Sequence, residues 1–404
     1  MNLFKSIKKD FIHNFGLAVV GFFFYIFTVG SIWGNEKLYS YVFYVVIGIA
    51  IVCLYKNQKV LGQYKRYYLW QFAFWILMAI STTYTFNIRK GALYISDLPK
   101  IWVKVTSVAI ICRDFGGVKK LMSILSISGV AVFFTLLWTG HLYEPWRLGE
   151  ELMGNANAFG MVITVFLTGT IYYMIFAKSK WIKFLNIIAL CLDMYMIFLS
   201  GGRKFILYGI VFFYATLVLS NKQKKKSVIL VPTIIIALAV GIGYYAIMNV
   251  PELYNGVGVR LEGLGSDEGA LGSDDQSFLM NIGIEMFNQK PLFGWGIAGF
   301  QEYMYKEYGT YFYSHSNYVE LLADYGLFGT LLYYSQYLYC LFTMLVNLRR
   351  RADEELVLFL PLLLAIMVIE VFSITFNQSA FVPLFVMLIS GYCYRLNHKK
   401  AFNL

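Results

Sequence analysis

Charge is scarce in this 404-residue sequence: Asp, Glu, Lys and Arg make up 14% of it, against roughly 25% in a soluble average. Hydrophobic residues reach 59% and aromatics 19%, more apolar surface than a soluble domain can bury. Cysteine is sparse too. Cys53, Cys112, Cys191, Cys340 and Cys393 form no CxxC pair, and all fall inside apolar runs or at their ends, so neither a disulfide framework nor a zinc site is indicated. The sequence has no P-loop, no GxGxxG after a strand and no HExxH, which leaves energy-coupled transport and the common soluble chemistries without a motif. Nor is there a period of 20 to 50 residues of the kind that marks a repeat array.

What is abundant is the apolar run. Runs near 16–33, 39–55, 67–85, 95–112, 121–139, 156–176, 181–199, 204–220, 227–247, 317–347, 355–373 and 380–396 are mostly long enough to cross about 30 Å of hydrocarbon. The sequence therefore predicts an all-α integral membrane protein, one polytopic domain over residues 1–404 with about twelve transmembrane helices. The basic opening MNLFKSIKKDFIHNF lacks a small-residue cleavage site and reads as the start of a retained first helix. The run 95–112 is the weakest, because Lys100 and Lys104 lie in it.

Loop charge supports that weak span. Alternating the loops puts Lys5, Lys8 and Lys9, 56–66, 113–120, 178–183, 222–226, 349–351 and 395–400 on one side. That side collects about two thirds of the short-loop Lys and Arg, as a cytoplasmic face should. Both termini are then expected in the cytoplasm. The net charge of +11 follows from this topology and does not point to nucleic acid.

One external connection is long. Residues 248–316, between the ninth and tenth runs, begin rich in Gly, Asp and Ser, turn helical through Phe278–Gln289 and pass through PLFGWGIAGF. A loop of that length commonly carries function. The external side also holds Lys100, Lys104, Arg147, Arg203, Lys204 and Arg260, cations that this side disfavours. Arg203 and Lys204 sit in SGGRK where two runs meet, and an Arg at that depth costs on the order of 3 kcal/mol unless it snorkels or is paired. Pairing with Glu144, Glu150, Glu151, Asp267 or Asp274 is one resolution; a shared anion is the other. Several arginines converging on one cavity suit a diphosphate, which they grip bidentately at any working pH. His315, one of four histidines, stands in YSHSNYVELLADYGLFG. An imidazole there is either an interfacial side chain or a base able to take a proton from a sugar hydroxyl near neutral pH.

At these residues the sequence resembles the O-antigen ligase and O-antigen polymerase superfamily, whose signature is H[NSQ], nine residues, then GxxG. His315-Ser316, then Asn317 to Tyr325, then Gly326-Leu327-Phe328-Gly329 match it at full spacing. Arg260-Leu261-Glu262-Gly263-Leu264 is similar to the family's Arg-x-x-x-Leu, and PLFGWGIAGF and SGGRK resemble two further family segments. A further Arg carried by many relatives is replaced here by Asp274, Asp275 and Gln276.

The resemblance implies a GT-C-like fold in the bacterial cytoplasmic (inner) membrane, with the active site on the extracytoplasmic side. It implies metal-independent, cofactor-free, inverting transfer from an undecaprenyl-diphosphate-linked oligosaccharide to a sugar hydroxyl. His315 is then the general base, Arg203 and Arg260 hold the diphosphate with Arg147 and Lys204 in support, and Ser316 and Glu320 are candidates for binding the acceptor or orienting the imidazole. Gly326 and Gly329 would allow a neighbouring helix to approach closely. Implied partners are the lipid-linked donor and acceptor, the lipid bilayer and a chain-length regulator protein, with no nucleic acid. A polymerase fits the composition best; a ligase acting on lipid A core or protein, and a flippase for lipid-linked sugars, are the rivals. Asp193 and Glu370, the main mid-run charges, are fewer than a charged transport path would need.

Overall fold

A computed structural model describes residues 2–34, 37–143, 147–221, 274–348, 353–376 and 381–402, with scattered positions between 230 and 254. Among the described residues every regular element is a helix. In chain order these are α1 (Asn2–Val29), α2 (Leu38–Lys56), α3 (Lys65–Ser81), α4 (Ile88–Cys112), α5 (Phe115–Thr139), α6 (Glu150–Met153) and α7 (Ala156–Phe176). They continue with α8 (Lys180–Ser200), α9 (Arg203–Ser220), α10 (Asp274–Gln289), α11 (Gly299–Tyr308), α12 (Asn317–Leu348), α13 (Glu354–Ile369) and α14 (Phe381–Phe402).

Among the described residues five helical stretches are long and apolar enough to cross a membrane: Phe11–Trp33, Leu38–Lys56, Phe115–Thr139, Ala156–Phe176 and Lys180–Ser200. Helices suit that solvent because each satisfies its own backbone hydrogen bonds where no water can. These helices mark the chain as a membrane protein. The count falls short of the twelve expected for physical reasons that differ from run to run. The run 67–85 yields only the 17 residues of α3, α4 carries charges and Pro99, and the expected single span 317–347 is broken at Gly326. The expected span 227–247 lies largely outside the described residues.

The chain divides into two compact units. The first comprises Met1–Asn57, Ser107–Gly269 and Asp353–Ala365; the second Gln58–Thr106, Ala270–Ala352 and Ile366–Leu404.

In the first unit α7 packs on α5, α8 and α9, while α1 packs on α5 and α2. Small residues set the spacing. A Cβ at Gly169 of α7 would lie 2.2 Å from the Met122 carbonyl oxygen of α5, and one at Gly129 of α5 would lie 2.6 Å from Asp193 Oδ1 of α8. The buried polar groups cluster at these same crossings: Thr170 Oγ1 donates to Asp193 Oδ2 (2.8 Å) and Ser126 Oγ to Asn186 Oδ1 (2.8 Å). Asp114 and Asn155 cap α5 and α7 by accepting the N–H of Gly117 and Asn157, and left-handed Gly140 and Gly201 end α5 and α8.

In the second unit α12 packs on α3, α10, α11 and α14. Its core is aromatic, with Phe74, Tyr325, Tyr333 and Phe376 in mutual edge contacts. Trp70 Nε1 donates to the Leu332 carbonyl (2.9 Å) and Gln336 Nε2 to Ser390 Oγ (2.9 Å). Indole and amide edges are thus satisfied inside an otherwise apolar core, as buried polar groups must be.

The helix crossing at Gly169 has a direct test. Gly169→Val forces α5 and α7 apart and costs about 1–3 kcal/mol, read as a lower thermal midpoint of the detergent-purified protein. Gly48→Ala is the control, because a Cβ there meets nothing within 4 Å; equal midpoints for the two variants would contradict the packing account.

Candidate active site

The histidine motif and PLFGWGIAGF, more than ten residues apart in sequence, interlock through their backbones. Trp295 N–H donates to the Ala323 carbonyl (2.9 Å), Gly296 N–H to Asp324 (2.8 Å), Leu327 N–H to Pro291 (2.8 Å) and Phe328 N–H to Leu292 (3.1 Å). Helical bonding within α12 would have used those groups, and the helix gives way at Gly326, with φ 63° and ψ −165°. Gly294 and Gly296 also take positive φ. A Cβ at Gly294 would lie 2.5 Å from the Asp324 carbonyl, and one at Gly326 would lie 2.5 Å from that of Leu292. Gly326 therefore serves a backbone crossing at a helix break, which corrects the helix-packing role expected for it. Gly329 does face a neighbouring helix, with Leu77 of α3 at 3.0 Å from a built Cβ.

His315 leads into α12 from a strained turn. Its φ is 61°, a left-handed conformation that costs a residue with a Cβ on the order of 1–2 kcal/mol. The neighbours hold it there. Ser314 N–H donates to Glu320 Oε2 (2.7 Å), Ser314 Oγ donates to the Ser316 carbonyl (2.9 Å), and that carbonyl also accepts the Glu320 N–H (2.9 Å). Ser314, Ser316, Asn317 and Glu320 are all buried. The imidazole lies 4.4 Å, centre to centre, from the ring of Tyr313.

One residue further on, Asn317 staples α12 to the turn after α13. Its N–H donates to the Glu370 carbonyl (2.8 Å), its Oδ1 accepts the N–H of Thr375 (2.9 Å) and Phe376 (3.1 Å), and its Nδ2 donates to Tyr334 Oη (2.9 Å). The Glu370 carboxylate beneath accepts Tyr337 Oη (2.9 Å) and Thr375 Oγ1 (2.5 Å).

Glu320 and Asp324 both take backbone N–H groups. Asp324 Oδ1 accepts from Phe300 (2.8 Å) and so caps α11. Beside them Tyr94 Oη donates to Gln301 Oε1 (2.9 Å), and buried Glu302 pairs with Lys90 at 3.3 Å. Lys90 also lies 3.7 Å above the centre of the Tyr311 ring.

The first unit holds Arg147, Arg203 and Lys204. Arg147 Nε donates to the Ser200 carbonyl (3.0 Å), Leu148 N–H to Leu199 (3.1 Å), and Arg147 Nη1 lies 3.7 Å from Glu150 Oε1. The chain before α6 is thereby clipped to the SGGRK turn, and Arg147 and Lys204 come within electrostatic reach of each other. Arg203 opens α9. Arg260 lies outside the described residues.

Lys90, Tyr94, Gln301, Glu302 and Asn317 were not anticipated. For Lys90 a signal was present, since the same loop alternation puts 86–94 on the external side with Arg89 and Lys90 in it. Asn317 and Gln301 gave none, because an amide in a helical stretch looks the same whether it staples two segments or faces solvent. Among the described residues no group of three His, Cys, Asp or Glu is arranged to hold a metal.

Asn317→Ala leaves the N–H groups of Thr375 and Phe376 buried without their acceptor, at about 1–3 kcal/mol each. The expected result is a thermal midpoint well below that of Ser335→Ala, which removes only an exposed hydroxyl bonded within its own helix. Equal midpoints would show that Asn317 is not a staple.

No curated protein gives a match to the chain. Residues 184–334, which include the SGGRK turn, PLFGWGIAGF and the whole of His315–Gly329, match the family model described as O-antigen ligase. That match, over a stretch shorter than half of the chain, supports a likeness to the O-antigen ligase and polymerase superfamily in the segments that carry the histidine motif, PLFGWGIAGF and SGGRK.

Proposed function

We propose that this membrane protein is a polysaccharide polymerase of the bacterial cytoplasmic membrane, working on its extracytoplasmic side. It transfers an undecaprenyl-diphosphate-linked oligosaccharide to the sugar hydroxyl of another lipid-linked repeat unit. The observation that carries this reading is the turn at His315, where buried hydrogen bonds from Ser314, Ser316 and Glu320 hold a left-handed histidine at the start of α12. Strain of this kind persists only where surrounding contacts over-determine it, and it gathers at functional positions.

In the reaction His315 takes the proton of the acceptor hydroxyl as that oxygen attacks the anomeric carbon. The carbon–oxygen bond to the diphosphate breaks from the opposite face, so configuration inverts and the lipid diphosphate leaves. Charge develops on the leaving group, and fixed cations are the main catalytic resource for it. Arg203 and Arg260 supply them, with Arg147 and Lys204 in support, and the three arginines keep their charge at any working pH. Glu320 positions the histidine through Ser314. A ligase transferring the finished glycan to lipid A core or protein uses the same machinery, and the matched family model is compatible with either reading.

Replacing His315 by Ala in the native host separates the two. Polymerase chemistry predicts normal membrane abundance with long surface chains lost and single-repeat glycan retained. A ligase predicts no surface-attached repeats and an accumulation of lipid-linked long chains. Unchanged ladders would contradict any transferase role for His315. Single substitutions Arg203→Ala, Arg260→Ala and Arg147→Ala should each lower donor turnover by on the order of 100-fold where the side chain meets the diphosphate directly; normal turnover in all three would refute the cationic clamp.

A further inference from the structure

We infer that Pro291–Gly296 and the residues of α12 that it crosses form a membrane-inserted anchor, whose outward face packs against the acyl chains of the bilayer. The crossing turns apolar side chains outward. Leu292 is 62% exposed and Phe293 56%, and Leu327, Phe328 and Leu331 of α12 stand open beside them. The rings of Phe293 and Phe328 lie 5.9 Å apart between centres, so the two stretches of chain present one patch. Single exposed apolar residues are ordinary, whereas a contiguous group is a contact surface.

Two features say what covers it. The first is continuity. α3 exposes Leu69, Phe72, Ile76 and Ile80, and α12 exposes Phe328, Leu331, Leu338, Phe342 and Leu345, at the three-, four- and seven-residue intervals that place side chains on one stripe of a helix. Both stripes end at the crossing: Tyr84, just beyond α3, donates its hydroxyl to the Phe293 carbonyl (3.1 Å), and Phe328 N–H donates to Leu292 (3.1 Å). An apolar stripe needs no further partner in a bilayer, whose tails are as apolar as leucine, and the patch prolongs both stripes.

The second is the backbone. The carbonyls of Pro291, Leu292 and Phe293 accept Leu327 N–H, Phe328 N–H and Tyr84 Oη, while the N–H groups of Gly294, Trp295 and Gly296 donate to Lys290, Ala323 and Asp324. A loop in water can leave such groups to solvent; irregular backbone at hydrocarbon depth has to satisfy them within the protein. At the margin of the patch Lys290 Nζ lies 3.7 Å over the Trp295 ring. Lysine and tryptophan together are typical of the membrane–water boundary.

The anchor goes beyond the transferase chemistry and does not depend on it. Its consequence is depth. Asn317 and Ala323 belong to one helical segment, separated by about 9 Å of rise, so embedding the crossing fixes how far the His315 turn stands from the hydrocarbon.

The test places a nitroxide on Phe293→Cys, Glu307→Cys or Phe342→Cys in the full-length Cys191→Ser protein, whose four remaining cysteines are buried. Each is read in nanodiscs of phosphatidylethanolamine and phosphatidylglycerol by its relaxation with oxygen and with a water-soluble nickel chelate. Glu307, exposed and charged, is the water reference; Phe342, 72% exposed on the α12 stripe, is the lipid reference. The ratio of oxygen to nickel relaxation at Phe293 should be close to that at Phe342 and several-fold above that at Glu307. Leu327→Cys, on the facing stretch, gives the same reading should the Phe293 variant melt below its parent. A ratio matching Glu307 would put the segment in water and overturn the anchor. Weak relaxation by both reagents would mark a protein partner and overturn it too, as would a Phe342 nitroxide open to nickel, since the stripe itself would then face water.

Discussion

The arrangement of the second unit depends on a backbone crossing: Pro291–Gly296 laid against Ala323–Phe328, close enough for four main-chain hydrogen bonds. Two main chains approach that near only where no Cβ stands between them, which is why Gly294 and Gly326 face each other's backbones at positive φ. The crossing consumes N–H groups of α12 and forces the break at Gly326. A helix of 32 residues would otherwise run unbroken; here its first turns are set apart as a short, buried segment that carries Asn317, Glu320 and Asp324 inward. The same contact brings Asp324 under α11 as its cap, and α11 carries the lysine-paired Glu302 and Tyr305.

Upon that frame the histidine is fixed by polar groups that are almost all buried. Glu320 and Asn317 act in opposite directions along the chain. The first ties back to Ser314, ahead of the histidine; the second ties forward to Thr375 and Phe376. In a low-dielectric interior each such bond is expensive to lose, so the left-handed turn at His315 can be maintained against its own strain. The first unit solves a different problem. There Arg147 is clipped to the end of α8, within electrostatic reach of Lys204 at the start of α9.

Sequence patterning made the helical class and the membrane solvent plain, because apolar runs of 17 or more residues leave few alternatives. It also singled out His315 and the SGGRK turn, since a short motif at fixed spacing and a cation at the end of an apolar run are both local signals. What it missed was non-local. Gly326 and Gly329 look alike in a GxxG string, yet one sits at a backbone break and the other in a helix contact, and only the partner segment tells them apart. Nothing local marks Glu320 and Asp324 as acceptors of main-chain bonds, yet each takes a backbone N–H from outside its own helix. Lys90 was legible from loop alternation alone; its pairing with Glu302, more than two hundred residues away, was not.

The central claim is that His315 performs the proton transfer of glycosyl transfer and does not serve to bind the donor or hold the fold. The measurement that reaches it most directly is a single-turnover assay with purified lipid-linked repeat unit, run in parallel with donor binding, on wild type and His315→Ala in the same nanodiscs. General-base catalysis predicts a rate at least about 100-fold lower with donor affinity and thermal midpoint unchanged. A variant that turns over at the wild-type rate, or one that is slow only because it no longer binds the donor, would contradict the account.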